Sequence, residues 1–166
     1  MPDPQRTDAA TVVYGVLKSD DLAAGVRAML VGEANSVYEA GDLRADILAS
    51  AEELRRAHYI PSALKALALS VQDAGEEPIE GRLLQQHVVV RVYDRFRGYH
   101  NIRAVRQALM QLLTGFIGNV VAVGAVGQGL VNIAFTGRTG HRYDTVYAVE
   151  FEAISFVATV EQAEYD

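Results

Sequence analysis

Four histidines, His58, His87, His100 and His141, are the side chains best suited to metal ligation or proton transfer in this chain. They fall on separate stretches. None forms a His-x-x-x-His pair or lies at ligand spacing from a carboxylate cluster, so no zinc or non-haem iron site is expected. His87 instead reads as a hydrogen-bonding residue on the polar face of a strand. Glu150 and Glu152 stand two apart, on one face of an extended segment, as paired carboxylates for acid–base work could. The same spacing describes an exposed acidic stripe, which is the expectation here. The run Gly124-Ala125-Val126-Gly127-Gln128-Gly129 resembles a phosphate loop only in its glycine content. A dinucleotide loop needs a strand before it and a helix after it, whereas the residues that follow alternate like a strand. There is no Gly-Lys-Ser/Thr and no Gly-x-Ser-x-Gly elbow, and Ser19, Ser36, Ser50, Ser62, Ser70 and Ser155 show no local activation signal. The chain has no cysteine, which removes disulfides, thiolate metal sites and a cysteine nucleophile. The sequence therefore predicts a protein that is not an enzyme and holds no cofactor or metal.

Charge carries more information. Arg91, Arg95, Arg97, Arg103 and Arg106 crowd around the single acid Asp94 in a chain whose net charge is −6. A basic strip on an acidic body can be a DNA footprint, a partner contact, one half of a contact between identical subunits, or simply solvated strand and helix faces. The overall negative charge argues against nucleic acid as a tight, phosphate-neutralising partner. Tyrosine and arginine concentrate binding energy at interfaces. The candidate interface residues are thus Arg91, Tyr93, Arg95, Arg97 and Arg103 on one surface and Glu150 and Glu152 on another. Where two different surfaces meet, association is heterologous and closes into a ring or runs on as a filament.

The elements that must position these residues centre on Leu83 to Phe116. Val88, Val90 and Val92 alternate with His87, Val89, Arg91, Tyr93 and Arg95, the period of a half-buried strand. After Arg97-Gly98-Tyr99 the apolar spacing becomes Ile102, Val105, Leu109, Leu112, Leu113, Phe116, one face of a helix. Around that unit the spacing predicts a helix opening at Asp20 and Asp21 and stopping at Gly32. Thr11 to Leu17 fits either a short strand or an earlier turn of helix. Ser36 to Glu39 looks extended, and a second helix runs through Leu43, Ile47, Leu48, Ala51 and Leu54, over by Ile60 before Pro61. Leu67 to Asp73 reads as a strand and Ala74-Gly75-Glu76-Glu77-Pro78 as an acid-flanked turn. Val131, Ile133 and Phe135 mark another strand, Gly137 to His141 a hairpin-length loop, and Tyr143 to Val157 a long return strand. This order predicts an α+β fold, a mostly antiparallel β-sheet with helices packed on it. One domain spans 11–158, between a flexible arm at 1–10 and an acidic tail at 159–166. No window approaches the roughly eighteen apolar residues of a membrane span, and the first residues lack the order of a signal peptide. A soluble protein is the expectation.

The strand ending Val92-Tyr93-Asp94-Arg95, then Gly98 and an aromatic residue, then the helix with Ile102, Val105, Leu109 and Leu112-Leu113, resembles the tail terminator (tail completion) proteins of long-tailed bacteriophages. A helix beginning near Asp20, the strand Leu67 to Asp73 and the closing strands around Phe135 and Tyr147 match that family's order. The resemblance covers most of Asp20 to Val157. It implies a structural virion protein, resident at the head-proximal end of the tail and in the host cytoplasm during assembly. Copies of it would form a hexameric ring that caps the tail tube and meets the head-tail connector or neck proteins. DNA would pass through the lumen unread. Arg91, Arg95, Arg97 and Arg103 become candidates for subunit or tube contacts, and the family has no catalytic residues to carry over. The chain departs from the pattern in the long helix between Gly41 and Pro61 and in the extended glycine-rich run from Gly115 to Gly129. A head-closure protein or a tube subunit is the alternative within this class. From another class, the alternative is a small enzyme or ligand binder with its pocket between the central helix and the sheet.

Overall fold

The computed structural model describes residues 8–18, 23–57, 65–95, 99–114 and 130–161. The strands are β1 (Val37–Glu39), β2 (Ala68–Glu80), β3 (Leu83–Asp94), β4 (Leu130–Arg138), β5 (Arg142–Asp144) and β6 (Val149–Glu161). The helices are α1 (Ala9–Lys18), α2 (Ala24–Arg27), α3 (Ala45–Ala57) and α4 (Tyr99–Thr114). The sheet order is β1-β2-β3-β6-β4, with β5 also on β6. Every pairing is antiparallel except the short parallel one between β1 and β2. This is the α+β fold that the sequence predicts.

Two cores follow from the pleat of β3. Val88, Val90 and Val92 lie on one face and join Ile102, Val105, Leu109 and Leu113 of α4, together with α1, in the larger core. Tyr93 lies on the other face, where Leu48 of α3 and Leu43, Leu67, Ala68 and Val149 build a smaller one. The central strand–helix unit thus forms as its two periods dictate, with Phe116 outside the described residues.

The segment with Val12, Val13, Val16 and Leu17 is helical. Asp8 caps it, one carboxylate oxygen accepting from the Ala10 amide at 3.2 Å and the other from the Thr11 hydroxyl at 2.7 Å. The Ala9 amide donates to Gln86 Oε1 at 2.7 Å, which pins the helix to β3. Ala9 is fully buried at the start of α1, and β6 runs to Glu161.

Three expectations change. The helix expected to reach Gly32 ends at Arg27, because the chain turns to pair with the segment before β2. Ala66 donates to the Met29 carbonyl at 2.7 Å and Val31 to the Ala66 carbonyl at 3.0 Å. Asp20 and Asp21 lie outside the described residues. The acid-flanked stretch Ala74 to Pro78 is strand: Glu76, Glu77 and Pro78 pair with Gln86, Gln85 and Leu84. A register shift between Asp73 and Glu76 takes up the extra residue, and β1 pairs with β2 only as far as Val71, so Pro78 sits where its other side carries no named strand and proline is tolerated. The chain reverses instead at Gly81-Arg82, where Gly81 has φ 58°, the pattern of a type II′ turn.

The third change is at the closing strands. The expected reversal at Gly137 to His141 is only an interruption, since Thr139 stays on β6 through its amide to the Ala153 carbonyl at 3.0 Å. The Ala153 amide in turn donates to Thr139 Oγ1 at 3.1 Å. β4 and β5 therefore form one interrupted strand, and the turn is Thr145 to Ala148. Asp144 Oδ1 builds it by accepting from the Val146 and Tyr147 amides at 2.8 and 2.9 Å.

Candidate functional site

The end of β3 rests on a buried polar network. Asp94 is 0% exposed and accepts from Arg55 Nη1 at 2.7 Å, Asn101 Nδ2 at 2.6 Å and the Arg95 amide at 2.7 Å. Arg55 also donates to the Lys65 carbonyl at 3.0 Å and to Glu52, and Asn101 reaches the same carbonyl at 3.2 Å. One carboxylate thereby ties α3, the start of α4, β3 and the approach to β2. Burial pushes the Asp94 carboxyl above its ordinary 3.8, against the downward pull of Asn101, Arg55 and the Arg95 amide.

A second carboxylate lies on the larger-core face. Glu152 is 0% exposed and takes Arg106 Nη1 on both oxygens, at 2.9 and 3.0 Å, with Arg138 Nη1 at 3.0 Å on one of them. The expected exposed stripe of Glu150 and Glu152 is therefore corrected. Glu152 lies across from Val92, facing α4, where only paired charge is tolerated. Tyr93 is also interior, at 4% exposed, because α3 covers that end of the sheet. Its ring lies 6.2 Å from Tyr147, edge-on, and 5.9 Å from Phe151. Its hydroxyl accepts from Ser70 at 3.4 Å, and burial raises its pKa.

The remaining candidates stay nearer solvent. Arg91 is half-buried on the sheet and donates to Gln72 Oε1. Arg103 is exposed on α4. Arg97 lies outside the described residues. His87 is the hydrogen-bonding residue expected of it, with Nε2 at 2.8 Å from Glu77 Oε1.

Arg95 and Glu150 meet at a cleft of about 510 Å³ between α3 and the end of the sheet. Glu52, Glu53 and Arg56 of α3 form one wall, and Arg95, Tyr143 and Glu150 the other. Arg95 Nη2 donates to the Tyr147 carbonyl at 3.4 Å, and Glu150 Oε1 lies 3.2 Å from His141 Nε2. Arg95 Nε and Glu150 Oε2 are buried and have no hydrogen-bond partner in the structure. Each such atom costs about 1–3 kcal/mol. Tyr143, 60% exposed, lies at the rim, and the turn beyond carries Val146 at 80%. By contrast, the α4 face of Ile102, Val105, Leu109 and Leu113 is closed on the sheet.

Sequence reasoning brings Arg95 and Glu150 out as candidates but on separate surfaces; the fold puts them in one cleft. It misses Glu52, Arg55, Arg56 and Asn101. Arg55 and Arg56 carry a signal only as cations ending a helix. Among the described residues no group of three His, Asp or Glu side chains is placed to hold a metal ion. No helix among them is long and apolar enough to cross a membrane.

No protein-family model matches this chain, and no curated protein does. Among solved structures, a chain of the virion of a native gene transfer agent particle matches with a TM-score of 0.55 and 20% identity. The match covers 92% of this chain and 93% of that one. At that identity the likeness is one of fold.

Proposed function

We propose that the protein is a structural virion component and, within that class, a tail terminator whose copies form a hexameric ring capping the tail tube and meeting the neck. The observation that carries the reading is the fold shared, over nearly the whole of both chains, with a component of a gene transfer agent virion. The strand–helix unit from Val92 to Leu113 supports the finer placement through its resemblance to tail terminators.

The surface left after the interior pairs are set aside suits head-to-tail association. Arg103 is exposed near one end of β3, while Glu76, Glu77 and Glu80 are exposed on the last part of β2, beyond its pairing with β1, near the other. Opposite charges on different surfaces favour a heterologous contact and fix its register. The test is sedimentation of the purified chain over a range of concentrations, alone and with tail tube protein. Six-copy assemblies are expected. A chain that stays monomeric in both settings, together with normal tails when the gene is deleted, refutes the placement.

A further inference from the structure

α3 is seated on a narrow stripe. Leu48 and Glu52, one turn apart, are its buried residues, and Arg55 is half-buried a turn further on. The stripe thus offers one apolar side chain and then charge. Arg55 Nη1 donates to Asp94 Oδ1 at 2.7 Å and Nη2 to Glu52, while Arg56 Nε donates to Glu52 Oε1 at 3.1 Å. α4, by contrast, seats Ile102, Val105, Leu109 and Leu113, each fully buried. Desolvation cancels most of what buried ion pairs gain, so one leucine and a paired charge hold a helix far less firmly than four aliphatic side chains. Among the described residues, both flanks of α3 border clefts. The one of about 510 Å³ runs along Ala49, Glu53 and Arg56, and another of about 310 Å³ along Asp46, Ser50 and Leu54. Leu43, just before the helix, is anchored separately: it is buried, and its carbonyl accepts from the Tyr147 hydroxyl at 3.2 Å. Leu48 shares a core with Tyr93 and Ala68, against which Tyr147 and Phe151 pack. We infer that α3 is a hinged cover, latched at its C-terminal turn by Arg55 on Asp94, that lifts from this aromatic face while the sheet and α4 stay folded. An element with few buried apolar contacts opens below the free energy of global unfolding.

The cover belongs to the isolated subunit, so its failure and that of the tail-terminator reading are separable. Native-state hydrogen exchange of the full-length chain is followed against urea below the unfolding transition. Amides from Leu48 to Arg55 should exchange with a shallow urea dependence, and those from Val105 to Leu113 with the steep slope of global unfolding. Because the chain has no cysteine, single thiols give a second readout. Ala68→Cys places one in the core that α3 covers, and Ala158→Cys one in the larger core; both positions are fully buried. Without denaturant the first thiol should react with a soluble aromatic disulfide roughly a hundredfold faster than the second. Adding Arg55→Met, which undoes the latch, should speed the first about tenfold more at an unchanged, shallow slope. Exchange of α3 and α4 at one slope, equal labelling of the two thiols, or no effect of Arg55→Met would each overturn the cover.

Discussion

Asp94 receives three hydrogen bonds, one from a guanidinium, yet burial holds its carboxyl above its ordinary 3.8. Desolvation outweighs the donors, and that sets the sign of its pH dependence. Because the folded-state value lies above the unfolded one, the folded protein holds the proton more firmly. Its contribution to stability is full below about pH 3.8 and is lost as pH rises through the raised value. Asn101→Ala removes the largest opposing bond, so the Asp94 carboxyl should titrate higher still and the window should widen upward. Carboxyl ¹³C shifts followed against pH check this; a fall in the titration midpoint refutes it. Asp94→Ala leaves Arg55, Asn101 and the Arg95 amide without their acceptor and should cost about 3–5 kcal/mol in urea unfolding at neutral pH. Glu152→Gln keeps the shape but leaves Arg106 and Arg138 facing a neutral group, and about 3 kcal/mol should go with it. Neither role is legible from the residues alone. Asp94 reads as a lone acid in an arginine strip, because its guanidinium partner is 39 positions away. Glu152 reads as surface because its arginines lie 46 and 14 positions away.

Elements whose own period sets their packing are the ones the residues reveal. The alternation of β3 and the three-four spacing of α4 each name their buried face without help, and both form as expected. Where tertiary pairing decides, local composition misleads. Glu76, Glu77 and Pro78 look like a turn, but β3 already presents a partner strand, and backbone pairing takes them into the sheet. Gly137 and Gly140 advertise a reversal, but the chain turns where Asp144 caps two amides, which only the folded ladder brings into register. That turn also forces Ala148 to φ 51°, a left-handed backbone that costs a residue with a Cβ. Ala148→Gly should therefore stabilise the protein by about 0.5–1 kcal/mol. Asp144→Ala, which removes the shared acceptor, should cost about 1 kcal/mol. Thermal unfolding of the two variants reads both, and destabilisation by Ala148→Gly would show that the Cβ is wanted there. The cleft is less legible than the fold for the same reason: Arg95 and α3 are far apart in the chain, and only the smaller core brings them together.

At the scale of the molecule, exposed Arg103 and the exposed acids of β2 lie toward opposite ends of β3. A strand of 12 residues sets its two ends about 35–40 Å apart. Arg103 lies near one end, and Glu77 and Glu80 near the other. If those regions meet between copies, the contact is heterologous, and each subunit carries one half of it on either side. Association should then weaken as salt rises past about 0.15 M, where exposed charges are screened. Arg103→Glu should abolish large assemblies without unfolding the chain, because an exposed charge contributes little to stability. A chain with Glu77→Lys and Glu80→Lys should fail in the same way. Mixing the two variants is the decisive measurement. Each variant keeps one intact surface, so a mixed pair can form a single good contact between the intact Arg103 surface of one and the intact acidic surface of the other. The outer surfaces of that pair are both reversed, and reversed surfaces with opposite changes attract one another again: the glutamate at 103 meets the lysines at 77 and 80. A heterologous ring therefore predicts that neither variant assembles alone while the alternating mixture does, with sedimentation restored toward that of the unaltered chain. An isologous contact between the same residues would also be rescued, since residue 103 of each copy then meets 77 and 80 of the other, but only as far as a dimer; recovery that stops at two copies refutes the ring.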